Sequence, residues 1–235
     1  MPSPRPSRRP SGDDGASGVS MAEVRYFDAI NLPSFPREAV YRRLGYRRGK
    51  TVLTPRQGEE TEKAVARALS LITLKGAVTR LPVAFAGEET IRLPGGHVFI
   101  SRRLRRFLAG AEEICLMGAT AGAEIGAAIR EEQEAGRLAV AVVLDAVASE
   151  TVDAALDWIG AYVAAQVRRE GKRVMKGRFS AGYGDFSLEN QTLIHELLGL
   201  ERLGVGVNEA CVLVPEKSVT AVAGIAGGVE EETVR

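Results

Sequence analysis

The sequence predicts an α+β domain in which a central, largely antiparallel sheet is flanked by helices. Two observations predict it. Short β-rich runs separated by glycine and proline gather towards both ends of the chain, while its middle carries the longest helical patterns. The strands also do not alternate with helices one for one, as a parallel sheet built of βαβ units requires.

The elements follow in order. Residues 1–20 are mostly Pro, Ser, Arg and Gly with almost nothing to bury, which predicts a disordered tail ahead of one domain over 21–235. Pro36 before Arg37–Leu44, with Gly45 just past the end, has the asymmetry of a short helix. Glu59–Leu74 places Ala64, Val65, Ala68, Leu69 and Ile72 at helical spacing. Ala77–Phe85, Glu89–Leu93 and His97–Ile100 are extended pieces parted by Gly87 and by Pro94-Gly95-Gly96, and a short basic helix over Arg102–Ala109 follows.

Glu113–Gly118 is a strand running into a Gly/Ala-rich turn, followed by a helix over Ala123–Ala135. Leu138–Val143 is a continuous apolar run whose period does not separate strand from helix. Thr151–Val167 is helical, with Val152, Ala155, Leu156, Ile159 and Val163 on one stripe and Asp153 and Asp157 opposite. Ser187 is placed to cap a helix over Leu188–Leu198 that stops at Gly199. Glu209–Val214 and Ser218–Ile225, joined by Pro215-Glu216-Lys217, read as a closing hairpin.

Composition excludes several function classes. Lys and Arg total 31 against 30 Asp and Glu, so no global field draws the chain to nucleic acid or to an anionic membrane. No apolar run approaches membrane-spanning length, and no apolar stretch follows the N-terminal arginines as in a secretory signal. Cys115 and Cys211 form no CxxC pair and have no nearby histidines, which points to buried, reduced thiols in a cytoplasmic protein without a metal cage. Gly118, Gly122 and Gly126 fall between a strand and a helix. A phosphate loop needs Gly-Lys-Ser/Thr at its end, whereas Gly122-Ala123-Glu124 stands here, so small residues for close packing are the expectation. His97 and His195 have no Ser, Cys or metal partner nearby, and no nucleophile–base pair is present to propose.

The chemistry-bearing segment is Lys176–Gln191. Arg178 offers a planar fork for a carboxylate. The small-residue bend Ser180-Ala181-Gly182 lets backbone approach a purine edge. Tyr183 supplies a face for an adenine or a sulfonium cation. Spacing alone favours a plain glycine turn before a helix, with Arg178 and Tyr183 as ordinary surface anchors.

Arg178-x-x-x-Gly182-Tyr183 resembles the Arg-x-x-x-Gly-Tyr motif with which activation domains of cobalamin-dependent methionine synthase bind S-adenosylmethionine. The segments that follow are also similar to that family: a helix ending in Leu-Leu, then Leu203-Gly204-Val205-Gly206-Val207-Asn208-Glu209, then Val214-Pro215-Glu216-Lys217-Ser218-Val219. The likeness is fullest over Arg168–Ile225, looser over Pro36–Tyr46 and the helix at Thr151–Val167, and resembles a free-standing short form. It implies S-adenosylmethionine binding by Arg178, Ala181, Gly182 and Tyr183. Glu150 or Asp153 stands for an acidic residue of the long helix, and Asp28 for an aspartate near the domain's start. An aromatic late in the family's closing sheet is replaced by small residues near Val222–Ile225, and the cobalamin motif Asp-x-His-x-x-Gly does not occur.

The resemblance further implies an accessory methyl-transfer component rather than a self-sufficient enzyme. It would support reductive remethylation of cob(II)alamin carried by a separate methionine synthase. A flavoprotein or ferredoxin would supply the electron, and no catalytic acid or base is required. Reactivation of another corrinoid protein, or a non-catalytic S-adenosylmethionine-binding interaction module, are the alternatives. The face around Glu216 and Lys217 is expected to meet the cobalamin module.

Overall fold

The computed structural model describes residues 23–47 and 49–228, so the tail expected at 1–20 lies outside the described residues. Five strands form an antiparallel sheet in the order β1 (Arg25–Phe27), β2 (Lys75–Pro82), β6 (Glu113–Thr120), β10 (Ser218–Gly227), β7 (Lys172–Val174). Three short strands, β3 (Ala84–Ala86), β4 (Thr90–Arg92) and β5 (Val98–Ile100), pair into a separate antiparallel sheet. β8 (Gly206–Val207) and β9 (Leu213–Val214) form a two-stranded ladder of their own. The helices are α1 (Arg37–Arg43), α2 (Pro55–Leu71), α3 (Arg102–Phe107), α4 (Ala123–Glu134), α5 (Leu138–Arg168) and α6 (Asn190–Leu198).

The main sheet is buried on both faces, and the strand period of two sorts its side chains between two cores. In β6, Cys115, Met117 and Ala119 face the layer of α1, α2, α4 and α5, while Ile114 and Leu116 face α3, α6 and the small sheet. In β10, Ala221, Ala223 and Ile225 take the first side and Val222 the second. A strand buried on both sides reads as a continuous apolar run, which is why EICLMG was legible as β. Burial in this apolar setting pushes the Cys115 thiol up to about 12, so it stays protonated and inert.

Two glycines permit this packing. A Cβ on Gly118 would lie 2.8 Å from Leu200 Cδ2, and one on Gly76 would lie 2.6 Å from Ile159 Cδ1. Gly118 therefore serves close approach of the α6 layer to the sheet, as its neighbourhood of small residues suggested.

Four local readings are settled or corrected. The ambiguous run Leu138–Val143 is helix, continuous with the later stripe, and α5 extends over 31 residues. Buried neighbours on the sheet, α2 and α4 settle what period could not. The closing hairpin does not form: β9 pairs with β8, while β10 pairs with β6 and β7. Pro215-Glu216-Lys217 is still a turn, but it hands the chain from one sheet to another. Ser187 sits in the turn ahead of α6 instead of capping it. Its hydroxyl accepts from the Glu189 N–H at 3.3 Å, and the helix begins at Asn190. α2 starts four residues before the sequence pattern suggested, because Thr54 and Gln57 form a reciprocal capping box with Pro55 at the first helical position.

Candidate functional site

β7 pairs with β10 at Ile225–Gly227, and Phe179 bridges to Val222. The chain then turns away into the bend at residues 180–186. Between Ser218 and Ala221 the outer edge of β10 has no partner strand among the described residues. That gap is the floor of a cleft of about 600 Å³, walled by α5, by the bend and α6, and by the loop ahead of β9.

The floor is fixed by polar contacts. Thr220 and the Gln191 amide exchange hydrogen bonds at 2.8 and 3.0 Å, and the Ser180 hydroxyl donates to the Thr220 carbonyl at 2.8 Å. Ser218 donates to the Thr120 hydroxyl at 2.8 Å. Asn208 Oδ1 accepts from the amides of Ala210 and Val212, holding Cys211, Val212 and Leu213 along one wall. Leu156, Leu188, Val219 and Ala221 add apolar surface.

Of the residues chosen from sequence, Arg178, Ala181, Tyr183 and Asp153 come together in this cleft. The Tyr183 side is 67% exposed, so its ring is available at the mouth. The Arg178 guanidinium is mostly covered and contacts two carboxylates one helical turn apart on α5, Asp153 at 3.0 Å and Asp157 at 3.1 Å. It also reaches the Asp153 carbonyl at 3.4 Å.

Gly182 has a role different from the one expected. Its N–H donates within the bend to the Phe186 carbonyl at 2.8 Å, and its φ of 89° is open to glycine at little cost. It shapes the bend instead of presenting an amide to a ligand. Asp185, next in the same stretch, accepts from the Ser101 hydroxyl at 2.6 Å and from the amides of Arg102 and Arg103. The Ser101 hydrogen bond, with those amides, holds its carboxyl below the usual carboxylate range. Asp185 thus ties the bend to the start of α3.

Glu150 does not line the cleft. It points to α1 and pairs with Arg43 at 3.0 Å. Asp28 follows β1, three strands from β10, and is likewise outside it. Lys217 is not the exposed docking residue anticipated. Its side chain is 12% exposed and its ammonium pairs with Asp145 at 2.6 Å and reaches Ser149 Oγ at 3.3 Å. Glu216 lines the cleft. Cys211 is half-buried in the cleft wall, where both thiols had been expected in the interior. His195 is partly packed, with Nε2 2.7 Å from the Val205 carbonyl, in keeping with a structural histidine.

Sequence reasoning missed Gln191 and Thr220 as cleft residues, and Asp157 as the second carboxylate on Arg178. Asp157 was seen opposite the apolar stripe of its helix, and its spacing of four from Asp153 would have joined the two on one face. No sequence signal pairs Gln191 with Thr220, since they meet across the layer between α6 and the sheet.

No helix among the described residues is long and apolar enough to cross a membrane. No protein-family model matches the sequence, and no curated protein matches it. Among solved structures the chain is similar to the crystal structure of the MetH reactivation domain bound to AdoHcy. The superposition has a TM-score of 0.61 and covers 87% of this chain and 79% of that one, at 14% sequence identity. The layered α+β architecture of this chain is therefore the fold of the MetH reactivation domain.

Proposed function

We propose that the chain binds S-adenosylmethionine in the cleft at the open edge of β10 and supports reductive remethylation of cob(II)alamin on a separate cobalamin-dependent methionine synthase. The carrying observation is that Arg178, Ala181 and Tyr183, chosen for an S-adenosylmethionine motif, converge with Asp153 on a cleft of about 600 Å³. A volume of that order suits a small-molecule ligand. Support comes from the fold neighbour, whose structure contains AdoHcy, the demethylated form of the same ligand.

The residues present fit such a ligand. The Arg178 fork suits its carboxylate, Asp153 and Asp157 suit its ammonium, and the Tyr183 ring with the apolar wall suits a purine or the sulfonium. When bound, S-adenosylmethionine supplies a methyl group on a positively charged sulfur. The chain's own contribution is positioning: the cleft opens to the surface, so a methyl group held there can be presented to a reactive centre carried by another protein. Arg178 and the two aspartates fix the amino-acid end, and the Gln191–Thr220 pair keeps the floor rigid. The electron needed to reduce the cobalt would come from a separate flavoprotein or ferredoxin.

The test combines the purified chain with a cobalamin-loaded methionine synthase, a reductant and S-adenosylmethionine, and follows methylcobalamin spectroscopically. Methylcobalamin appearing in proportion to the chain supports the proposal. Tight S-adenosylmethionine binding with no methylcobalamin on that partner would restrict the protein to a binding module or to another corrinoid partner. Absence of S-adenosylmethionine binding would overturn the reading altogether.

A further inference from the structure

A second cleft lies between α1 and the segment that leads to α2. It encloses about 780 Å³ and is lined by Arg37, Glu38, Tyr41, Arg42, Tyr46, Arg47, Gly49, Thr51 and Leu53. None of these residues lines the cleft on β10. Among the described residues three arginines line it against the one carboxylate of Glu38. Arg37 is neutralised by Glu62 at 2.5 Å, and the Tyr41 hydroxyl donates to the same carboxylate. Arg42 and Arg47 make no ion pair and no side-chain hydrogen bond among the described residues, which leaves two uncompensated cations on one concave surface.

The same surface carries an aromatic shelf of two inclined rings. The Tyr41 and Tyr46 rings lie 5.2 Å apart, tilted by 46°. The Tyr41 ring is locked by Glu62 at its hydroxyl and by the Arg37 guanidinium, 5.9 Å from the ring centre. Beside the shelf the chain turns tightly: the Thr51 amide donates to the Arg47 carbonyl at 2.9 Å, and the Thr51 hydroxyl accepts from the Arg47 amide at 2.9 Å. That hydroxyl keeps its own proton to donate. Cationic forks and a hydroxyl suit phosphate oxygens, and paired aromatic faces suit a planar heterocycle.

We propose that this cleft is a nucleotide site, taking a nucleoside diphosphate or triphosphate with its base on Tyr41 and Tyr46 and its phosphates on Arg42 and Arg47. A free nucleotide is favoured over a nucleic-acid strand because two cations on one concave surface match the few phosphates of a nucleotide, and the chain as a whole carries a net charge of only +1. The proposal is independent of the S-adenosylmethionine reading, since the two clefts share no residue.

Isothermal titration of the whole chain with ADP and with GDP tests it, alongside pyrophosphate, adenosine and a single-stranded oligonucleotide. At least one of the two nucleotides should bind, and at least tenfold more tightly than pyrophosphate or adenosine. The double variant Arg42→Gln with Arg47→Gln should weaken that binding tenfold or more, and Tyr46→Leu should weaken it several-fold. Both should keep the wild-type thermal midpoint, since none of the three side chains bridges elements of the core. No binding of either nucleotide, equal binding of pyrophosphate, tighter binding of the oligonucleotide, or unchanged affinity in a folded double variant would each overturn it.

Discussion

At Arg178 one guanidinium serves two aspartates, and any ligand carboxylate must enter that arrangement by displacing at least one of them. A charge-assisted hydrogen bond is worth about 1.5–3 kcal/mol. Arg178→Ala should therefore weaken S-adenosylmethionine binding by roughly tenfold to a hundredfold, measured by titration calorimetry. Unchanged affinity would remove Arg178 from the site. Gly76 tests the packing instead of the site. A methyl group there would lie 2.6 Å from Ile159 Cδ1 and 3.0 Å from both the Gly118 carbonyl and Ile30 Cδ1, so the sheet is crowded by backbone as well as side chains. Overpacking of this kind costs about 1–3 kcal/mol. Gly76→Ala should lower the urea midpoint accordingly, with no change in the denaturant slope.

At the level of elements, Glu132 fastens α4 to its neighbours. Its carboxylate is 3% exposed and lies 2.5 Å from both Arg67 of α2 and Arg137, the residue that precedes α5. Hydrogen bonds from Arg137 and then Arg67 hold it down at about 2. Its folded value is below the unfolded one of about 4.3. The stabilisation is therefore complete above that value and is lost as pH falls towards 2. Acid titration of stability should show wild type losing more between pH of roughly 4.5 and 2 than Glu132→Gln, which starts lower at neutral pH; parallel curves would contradict the pairing. The same scale separates what the sequence disclosed from what it hid. Helices with a clear stripe, and the bend from Arg178 to Tyr183, were legible because their signals are local. The closing hairpin was misread because Ser218 pairs with Thr120, 98 residues away, and no local pattern names that partner. β1 and β7, at three residues each, are too short to carry a period at all.

For the whole molecule, ligand binding and folding are linked. A ligand that binds the folded chain at a hundredfold its Kd adds about 2.7 kcal/mol to stability. For a chain of this length that raises the melting midpoint by about 5–10 °C. Saturating S-adenosylmethionine should produce such a shift in thermal denaturation, and Arg178→Ala at the same concentration should shift much less. The two segments that close the cleft are both tied to one helix. Asp145, Ser149, Asp153 and Asp157 recur every four residues along α5, the first two holding Lys217 and the last two holding Arg178. Each residue of an α-helix turns the following one by about 100°. Inserting or deleting one residue between Ser149 and Asp153 would swing the second pair away from the first, and the turn and the bend could no longer be gripped together. α5 thus acts as a ruler of fixed length, and related chains that keep the cleft should preserve the count of residues in this stretch together with polar side chains at its four marks.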